Sequence, residues 1–463
     1  MGIRKISVLL ISVLVLILGC CTLTHAEGYE KVYRGDMDEN GRYSLRDALA
    51  ILKVAARIDE MSDLADVDLN GVVDIEDAKF MMDLVVNNPG DYGMYTYAVP
   101  EKERILIVDN QAYSHDNRCF HSIKEALAYV NANPPASEAE RLTLDIIPGV
   151  YREHLEVTAP YVSFKNASDG AEEVKITYFV ACNFNYKDIP GRTAADTSRT
   201  IYIDKGAEAF EATDIVFENS FNIYLVEDEK EAIAVNSSND PILARFEQND
   251  ATINQNQALA VRCAGDKAVF KNCSFLGRQD TLMLPTANKR SYFENCYIEG
   301  TVDFIYGDGT AVFKDCVLNV PYNSGYLTAA STPAEVEYGF LFYNCTMTRV
   351  AGNGKAAAAD GSYSLGRPWG AHGMVVYWNC KMDAHIRSGS KRFEDMEVTA
   401  DQARFFEVGS MNLDGEALDL DSITDQTRET ILSQSDMAGD GQYAAWKWLW
   451  GKDSWNPAGF TVK

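Results

Sequence analysis

The chain has 463 residues, of which 46% are hydrophobic and 24% charged, and its formal net charge is -26. This composition excludes a disordered or fibrous chain, and the length predicts one large domain with a smaller module. The acidic charge argues against nucleic acid as a partner, because phosphate backbones are bound by basic surfaces. The same negative charge would repel a polyanionic sugar. A sugar polymer with masked carboxylates fits better.

The N-terminal residues have the pattern of an export signal. Two basic residues precede an apolar run from Ile6 to Leu18, and small residues up to Ala26 suit cleavage. We predict a signal peptide over residues 1–26 and a secreted protein. The run is shorter than the ~20 residues that cross a bilayer, so no membrane span is expected. Residues 17–20 also resemble a lipoprotein cleavage box, which leaves lipid anchoring as the less favoured alternative.

Two twelve-residue segments, 36–47 and 66–77, share one spacing of acidic and amide side chains. Oxygen ligands at loop positions 1, 3, 5 and 12 converge on one calcium ion, and glycine at position 6 provides the sharp turn. Gly41 and Gly71 occupy that position. We predict two calcium ions, with ligands from Asp36, Asp38, Asn40, Asp47, Asp66, Asp68, Asn70, Asp74 and Asp77. For a single loop, an acidic surface without a cation would be the alternative.

An amphipathic helix follows each loop, beginning at Asp47 and Asp77, with no full helix in front. This arrangement resembles the dockerin family over about residues 33–88. The resemblance implies a small α-helical calcium-binding module whose partner is a cohesin module of a multi-enzyme scaffold. Pro89 and Gly90 end the second helix, and a tyrosine-rich linker is expected over residues 89–100.

Residues 101–463 consist of short β-rich runs with one predicted helix at about residues 122–131. An aromatic residue, then Asn or Asp, then Cys recurs at intervals of 20 to 35 residues. Such a repeat predicts an all-β fold of stacked coils, a parallel β-helix. Each cysteine stands alone in its repeat, so stacked interior thiols are favoured over metal ligands. The copies are Phe270–Cys273, Phe293–Cys296, Phe313–Cys316, Phe342–Cys345 and Tyr377–Cys380.

Two aspartates occupy equivalent places in successive repeats. Asp280 lies seven residues after Cys273, and Asp303 lies seven residues after Cys296. The two carboxyl groups should therefore stack, with their backbones about 5 Å apart. Their repulsion should raise one pKa while the other group stays ionised, which provides one acid and one base or nucleophile. Gln279 can offer an amide donor to an oxyanion.

Five motifs in order resemble the pectinesterase family over residues 101 to about 460. The resemblance implies a monomeric right-handed parallel β-helix that needs no cofactor for catalysis and hydrolyses galacturonate methyl esters of pectin during plant cell-wall degradation. Neighbouring coils lie about 4.8 Å apart, close to the Cα separation of a disulfide, and Cys296 with Cys316 is the favoured pair. The resemblance also supports this disulfide. The motifs are Gly149–Glu153, Gln257–Arg262, Gly277–Leu282, Gly300–Gly307 and Leu365–Trp369.

The same resemblance implies a role for each matching residue. In the order of the reaction these are Asp303 as nucleophile, Asp280 as general acid and then base, Gln279 and Gln257 as oxyanion donors, Arg367 as the group that holds Asp303 ionised, and Trp369 and Phe304 as sugar contacts. Departures from the family pattern are Tyr306 in place of the common Phe, a long polar loop over residues 183–200, and an insertion between Phe217 and Gln257. The two loops are expected to reshape the rim of the cleft.

Other functions of the same fold stay open at this point. A polygalacturonase would need a Gly-His-Gly stretch, and a pectate lyase would need calcium-binding carboxylates on the solenoid, neither of which the sequence contains. A non-catalytic pectin-binding β-helix would have no reason to place Asp280, Asp303 and Arg367 together. An esterase of the same fold acting on another carbohydrate or acyl ester is the nearest alternative.

Overall fold

The computed structural model describes residues 30–40, 42–68, 71–87, 95–98, 104–112, 118–233, 256–322, 325–352, 355–424, 430–451 and 453–461. The chain divides into two compact units, residues 1–98 and 99–463. The predicted signal peptide and the loop residues Gly41 and Asn70 lie outside the described residues. No helix among those described is both long enough and apolar enough to cross a membrane.

The strands, in chain order, are β1 (Glu30–Tyr33), β2 (Tyr95–Ala98), β3 (Ile105–Val108), β4 (Cys119–Phe120), β5 (Leu142–Ile146), β6 (Gly149–Arg152), β7 (Leu155–Val157), β8 (Val162–Asn166), β9 (Val174–Tyr178), β10 (Arg199–Ile203), β11 (Glu211–Thr213), β12 (Ile215–Asn219), β13 (Leu259–Cys263), β14 (Ala268–Lys271), β15 (Ser274–Leu276), β16 (Leu282–Leu284), β17 (Arg290–Glu294), β18 (Tyr297–Glu299), β19 (Val302–Gly307), β20 (Thr310–Lys314), β21 (Val317–Asn319), β22 (Gly325–Ala330), β23 (Phe340–Tyr343), β24 (Thr346–Thr348), β25 (Tyr363–Pro368), β26 (Met374–Trp378), β27 (Lys381–Met382), β28 (Arg404–Val408) and β29 (Met411–Asn412).

The α-helices are α1 (Leu45–Ala55), α2 (Ile75–Asn87), α3 (Ile123–Ala132), α4 (Glu227–Ala232), α5 (Leu420–Ile423), α6 (Gln434–Ala438) and α7 (Lys447–Trp450). Short 3-10 helices lie at Asp63–Ala65, Glu138–Glu140, Gly389–Lys391 and Ala400–Gln402.

In the first unit, α1 and α2 pack around a small apolar core that includes Ile51, Val67 and Met81. Ser44 caps α1, because its hydroxyl accepts from a first-turn amide while its own amide donates to the Asp47 carboxylate at 2.8 Å. β1 and β2 pair in antiparallel fashion. Part of the segment predicted as a linker is therefore a strand, which sequence reasoning missed because its partner precedes both acidic loops.

The second unit is a parallel β-helix, as predicted. Its strands form three sheets of seven, eleven and nine strands, in the orders β25-β22-β19-β16-β13-β10-β7, β28-β26-β23-β20-β17-β14-β11-β8-β5-β3-β4 and β29-β27-β24-β21-β18-β15-β12-β9-β6. A complete coil contributes one strand to each sheet, and neighbouring coils pair in parallel register. Equivalent residues of successive coils therefore stand above one another, which is the property on which a site built from repeats depends.

The repeat of aromatic, Asn or Asp, and Cys forms one corner and the interior of this solenoid. The residue before each cysteine has a φ between 53° and 55°, a left-handed conformation that Asn and Asp tolerate better than other side chains. The aromatic rings inside stack with centroids 4.5 to 4.9 Å apart. These rings are those of Phe270, Phe293, Phe313, Phe342 and Tyr377.

The structure does not contain the disulfide predicted between Cys296 and Cys316, since both are free thiols. Stacked coils hold equivalent Cα–Cβ bonds parallel, so their Cβ atoms stay about 4.8 Å apart, whereas a disulfide holds them at about 3.8 Å. The thiols have other partners: Cys296 Sγ donates to the Phe270 carbonyl at 3.5 Å, and Cys316 Sγ to the Phe293 carbonyl at 3.6 Å.

One end and one face of the solenoid are covered. The predicted helix near residue 122 is α3, capped by Ser122, and its Ile123, Leu127 and Val130 belong to the solenoid core. The C-terminal tail packs along the eleven-stranded sheet through an apolar cluster that includes Trp448 and Met437. These contacts remove apolar surface that a bare solenoid would present to water.

Candidate active site

The two predicted carboxylates lie on adjacent coils of the seven-stranded sheet. Asp280 precedes β16 and Asp303 lies in β19, and the pairing of Leu282 with Ile305 carries the same offset as the two aspartates. Both aspartates have positive φ, 65° and 51°. Such strained backbone outside glycine is concentrated at functional sites. Here it directs two buried carboxyl groups to one place on the sheet.

Arg367 grips the carboxylate of Asp303 with two parallel hydrogen bonds. Its Nε donates to Oδ1 at 2.9 Å and its second guanidinium nitrogen to Oδ2 at 2.6 Å. The guanidinium carbon also lies 3.9 Å from the centre of the Tyr326 ring. A bidentate Arg–carboxylate pair is strong and fixes orientation. The contact with Arg367 favours the charged form of Asp303 and fixes the carboxylate in one position.

Asp280 has an amide partner instead of a cation. Gln257 Nε2 donates to Asp280 Oδ2 at 3.0 Å. Gln257 is itself held by its backbone carbonyl, which accepts from the Cys182 amide at 2.8 Å. Gln279 immediately precedes Asp280, and its carbonyl accepts from the Ala258 amide at 3.3 Å. Both predicted amide side chains therefore come from segments that meet beside the carboxyl group.

The environment separates the protonation behaviour of the two groups. Burial raises the pKa of Asp280 to about 7, the charge of Asp303 adds to this effect, and the hydrogen bond from Gln257 opposes it. Burial also raises the pKa of Asp303, against the lowering effect of the Arg367 hydrogen bond and charge. Arg367 lowers the Asp303 pKa, as predicted, but burial outweighs this effect. Asp280 lies beside the charged carboxylate of Asp303, and its described hydrogen-bond partner is an amide and not a cation.

Of the two predicted sugar contacts, only Trp369 reaches the surface. Its side chain is 38% exposed and lies 5.8 Å, centre to centre, from the ring of Tyr306. Phe304 is fully buried in the solenoid core, so the prediction that it lines the cleft is wrong. The register of β19 shifts between Val302 and Ile305, and the bend at Asp303 breaks the alternation of inward and outward residues.

Sequence reasoning missed a row of side chains beside the aspartates. Strand register places Tyr202, Arg262, Met283 and Tyr306 at equivalent positions of successive coils. Arg262 and Arg199 flank the Tyr202 ring at 4.6 and 4.7 Å. Arg262 and Tyr306 carried a signal, because both lie in the five motifs. The equivalence of Tyr202 and Met283 with them depends on strand pairing.

The loops expected to reshape the rim form a small apolar cluster of their own. Phe179, Phe184 and Tyr186 pack there with Phe221 and Ile233. Ala258, next to Gln257, belongs to the same cluster. The acidic part of the insertion is α4, and residues 234–255 lie outside the described residues. The cluster supports the segment that presents Gln257.

In the first unit, each acidic loop gathers three carboxylates. The groups are Asp36, Asp38 and Asp47 in one loop and Asp66, Asp68 and Asp77 in the other, and within each group the oxygen atoms lie within 4.8 Å of one another. Asn40 and Asp74 are described in the same loops, whereas Asn70 is not.

Backbone amides hold these loops closed around their carboxylates. The Met37 amide donates to Asp47 Oδ1 at 3.0 Å, and the Val67 amide donates to Asp77 Oδ1 at 2.7 Å. Asp47 and Asp77 are buried. Asp38 and Asp68 are exposed and Asp66 is half-buried. Carboxylates at such short separation repel one another, a cation between them removes the repulsion, and hard oxygen donors are those that calcium prefers. The residues present therefore fit a calcium ion in each loop.

Comparison with known proteins gives a family match that lies within the second unit. A family model described as Pectinesterase matches residues 242–400. Pectinesterase A of Dickeya chrysanthemi is 32% identical over 360 residues, which cover 71% of this chain and 89% of that relative. Pectinesterase 31 of Arabidopsis thaliana is 42% identical over 142 residues, covering 30% of this chain and 42% of the relative.

The match to a third relative, Pectinesterase QRT1 of Arabidopsis thaliana, has 32% identity over 250 residues and covers 53% of this chain and 55% of the relative. The chain thus spans about half of the length of the two Arabidopsis relatives. A crystal structure of a pectin methylesterase in complex with a hexasaccharide has a TM-score of 0.56 and 27% identity, covering 79% of this chain and all of that one. This likeness agrees with a right-handed parallel β-helix.

Proposed function

The chain belongs to the pectinesterase family, and from this premise we propose that residues 99–463 hydrolyse galacturonate methyl esters of pectin to free carboxylates and methanol. One observation carries the proposal. Two buried aspartates stand on successive coils, one held by the bidentate guanidinium of Arg367 and the other with a pKa raised to about 7. Such a pair provides a carboxylate nucleophile and a neutral carboxylic acid at the same time.

In the first step, an oxygen of Asp303 forms a bond to the ester carbonyl carbon, and the carbonyl electron pair moves to oxygen. The amide groups of Gln257 and Gln279 donate to this oxyanion. Collapse of the tetrahedral intermediate breaks the bond to the methoxy oxygen, which takes the proton of Asp280 and leaves as methanol. A covalent anhydride between Asp303 and the sugar acid remains.

In the second step, Asp280 is a carboxylate and accepts a proton from water as the water oxygen attacks the sugar carbonyl of the anhydride. The bond to Asp303 breaks, and Asp303 returns to the carboxylate form beside Arg367. The sugar acid is released and Asp280 is again protonated. Ester, water and the two carboxyl groups supply every proton and electron pair, so the proposed reaction needs no cofactor.

The alternative substrate is another carbohydrate or acyl ester on the same fold, and product analysis separates the two. The full chain is incubated with highly methylated pectin and, separately, with acetylated xylan and acetylated pectin, and methanol and acetate are quantified. We expect methanol from methylated pectin and no acetate above the blank. Acetate as the main product, with no methanol, would replace pectin methyl esters by acetyl esters as the substrate.

For residues 33–88 we propose a dockerin-like module that holds two calcium ions and docks the enzyme on a cohesin of a scaffold. The carboxylate groups of the two loops support the calcium sites. An apolar row on α1 supports the docking face: Leu45, Leu49 and Leu52 are 59%, 54% and 38% exposed. Positions i, i+4 and i+7 share one side of a helix. With the export signal, this predicts a secreted enzyme held on an extracellular scaffold.

Immobilised cohesin modules test this assignment. The full chain should bind at least one of them in calcium and elute with a chelator. Leu49→Asp should lower the affinity at least about tenfold by placing a charge in the apolar row, whereas Glu60→Gln, an exposed residue of the connecting loop, should not. Calcium-independent binding, or equal affinity of both variants, would contradict the proposed docking face.

A further inference from the structure

A cleft of about 870 Å³ lies between the C-terminal tail and the eleven-stranded sheet, and no residue of the proposed catalytic set lines it. The solenoid side contributes residues near Arg290, Thr310 and Tyr338, and the tail side contributes α7. Ligand sites are typically clefts of about 300–1,000 Å³.

Aromatic side chains form much of the wall of this cleft. Trp446, Trp448, Trp450 and Tyr338 all line it. Trp446 and Trp450 meet edge to face with ring centres 5.5 Å apart, and both are partly exposed. Indole rings offer large apolar faces with one N–H donor at the edge. Such faces suit the C–H surfaces of a pyranose ring.

Two of these indoles have an unused donor. Trp446 Nε1 and Trp448 Nε1 are buried and have no hydrogen-bond partner among the described residues, although Trp448 is only 1% exposed. Both nitrogens are closed to solvent, so a ligand in the cleft would meet the exposed part of the Trp446 ring and not these N–H groups.

The charges of the cleft favour a neutral ligand. Arg290 is engaged by two aspartates, each at 2.7 Å, and Lys447 Nζ donates to a backbone carbonyl at 3.1 Å. Glu335 and Glu337 add two carboxylates to the lining. The cationic groups described in the lining thus have partners, and a polyanion would meet net negative charge.

We propose that this cleft is a second carbohydrate-binding site, which takes a neutral pyranoside chain. Arg290 also donates to the Leu449 carbonyl at 3.1 Å and so ties the aromatic tail segment to the solenoid. The site is therefore built from two parts of the fold. Two kinds of polysaccharide would supply a neutral pyranoside chain: a methyl-esterified stretch of galacturonan and a galactan. The inference does not depend on the ester chemistry proposed above.

Calorimetry on the full chain carrying Asp303→Ala, which removes turnover, tests the site. The probes are a methyl-esterified hexagalacturonide, the unesterified hexagalacturonate and β-1,4-linked galactotetraose. We expect at least one neutral probe to bind at a site whose affinity falls at least about tenfold when Trp446→Ala is added. A loss of affinity for the esterified hexamer would identify methyl-esterified galacturonan as the ligand. A loss of affinity for galactotetraose would identify galactan as the ligand.

Phe460→Leu is the matched control. Phe460 lies on the same tail as Trp446, packs against Tyr343 of β23 and does not line the cleft. Trp446→Phe keeps an aromatic ring in the same packing but presents a smaller face, so it provides a folded variant if Trp446→Ala unfolds. Unchanged affinity for both neutral probes in a folded variant, no binding of either neutral probe, or an effect confined to the unesterified hexamer would overturn the proposal. Methanol release by the parent chain is measured separately and reports on the ester site alone.

Discussion

Replacing Asp280 by asparagine should both inactivate the enzyme and stabilise it above neutral pH. Asp280 is 3% exposed, and its pKa rises from an ordinary 3.8 to about 7 because of burial and the charge of Asp303. Keeping this group ionised in the folded protein therefore costs free energy. Asparagine has the same shape and can still accept the hydrogen bond from Gln257, but it never carries the charge.

The magnitude and the pH window follow from proton linkage. The folded state holds the Asp280 proton more tightly than the unfolded chain, so the contribution of this group to stability falls as the pH rises from about 4 to about 7. The separation between 3.8 and about 7 corresponds to about 4 kcal/mol, taken as an upper bound. Asp280→Asn should gain nothing at pH 4 and approach that figure at pH 8.

Chemical denaturation of the full chain at pH 4, 6 and 8, followed by tryptophan fluorescence, measures the effect. All six tryptophans lie in residues 369–455, so the signal reports on the solenoid unit. Asp401→Asn controls for the loss of one negative charge at an exposed position. Methanol release by Asp280→Asn should fall about 10²- to 10⁴-fold, as for loss of a general acid. A stability gain that is equal at all three pH values would refute the assignment of the raised pKa to Asp280.

Four further results are expected. Arg367→Lys should lower kcat/KM at least about tenfold and move the acid limb of the pH–rate profile to higher pH. The reason is that Asp303 loses the guanidinium whose hydrogen bonds oppose the rise of its pKa. An acid limb at the same pH as in the parent chain would contradict this. Gln257→Ala should reduce kcat for methanol release about 10²- to 10³-fold, as for loss of an oxyanion donor, and an unchanged kcat would remove that role. Phe293→Ala, in the aromatic stack, should lower the free energy of unfolding by about 3–5 kcal/mol, and a loss below about 1 kcal/mol would show that the stack is not well packed. Chelation of calcium should reduce far-ultraviolet helical circular dichroism while leaving tryptophan fluorescence and methanol release unchanged; a parallel loss of activity would place a needed calcium ion in the solenoid.

The solenoid and the aspartate pair could be predicted because both follow from repetition. Asp280 and Asp303 have the same offset from their cysteines, and stacked coils convert an equal offset into an equal place. The Asn or Asp before each cysteine marked a corner that requires a left-handed residue, as at Asn295. A local rule that recurs in every coil leaves several signals in one sequence.

The failed predictions concern features that repetition does not determine. Phe304 turned inward because the bend at Asp303 and the register shift of β19 break the alternation of side chains. The expected disulfide required a Cβ separation shorter than parallel stacking provides. Burial of Asp303 depends on the coils around it, so the sequence indicated the partner, Arg367, but not the net direction of the pKa.

Methanol release from highly methylated pectin by the full chain and its Asp303→Ala variant tests the central claim most directly. The account predicts methanol from the parent chain and at least about a 10³-fold lower rate from a variant whose fluorescence and unfolding midpoint show a folded solenoid. Methanol release at an unchanged rate from folded Asp303→Ala would contradict the assignment of Asp303 as nucleophile, and no methanol from the folded parent chain would contradict the proposed activity itself.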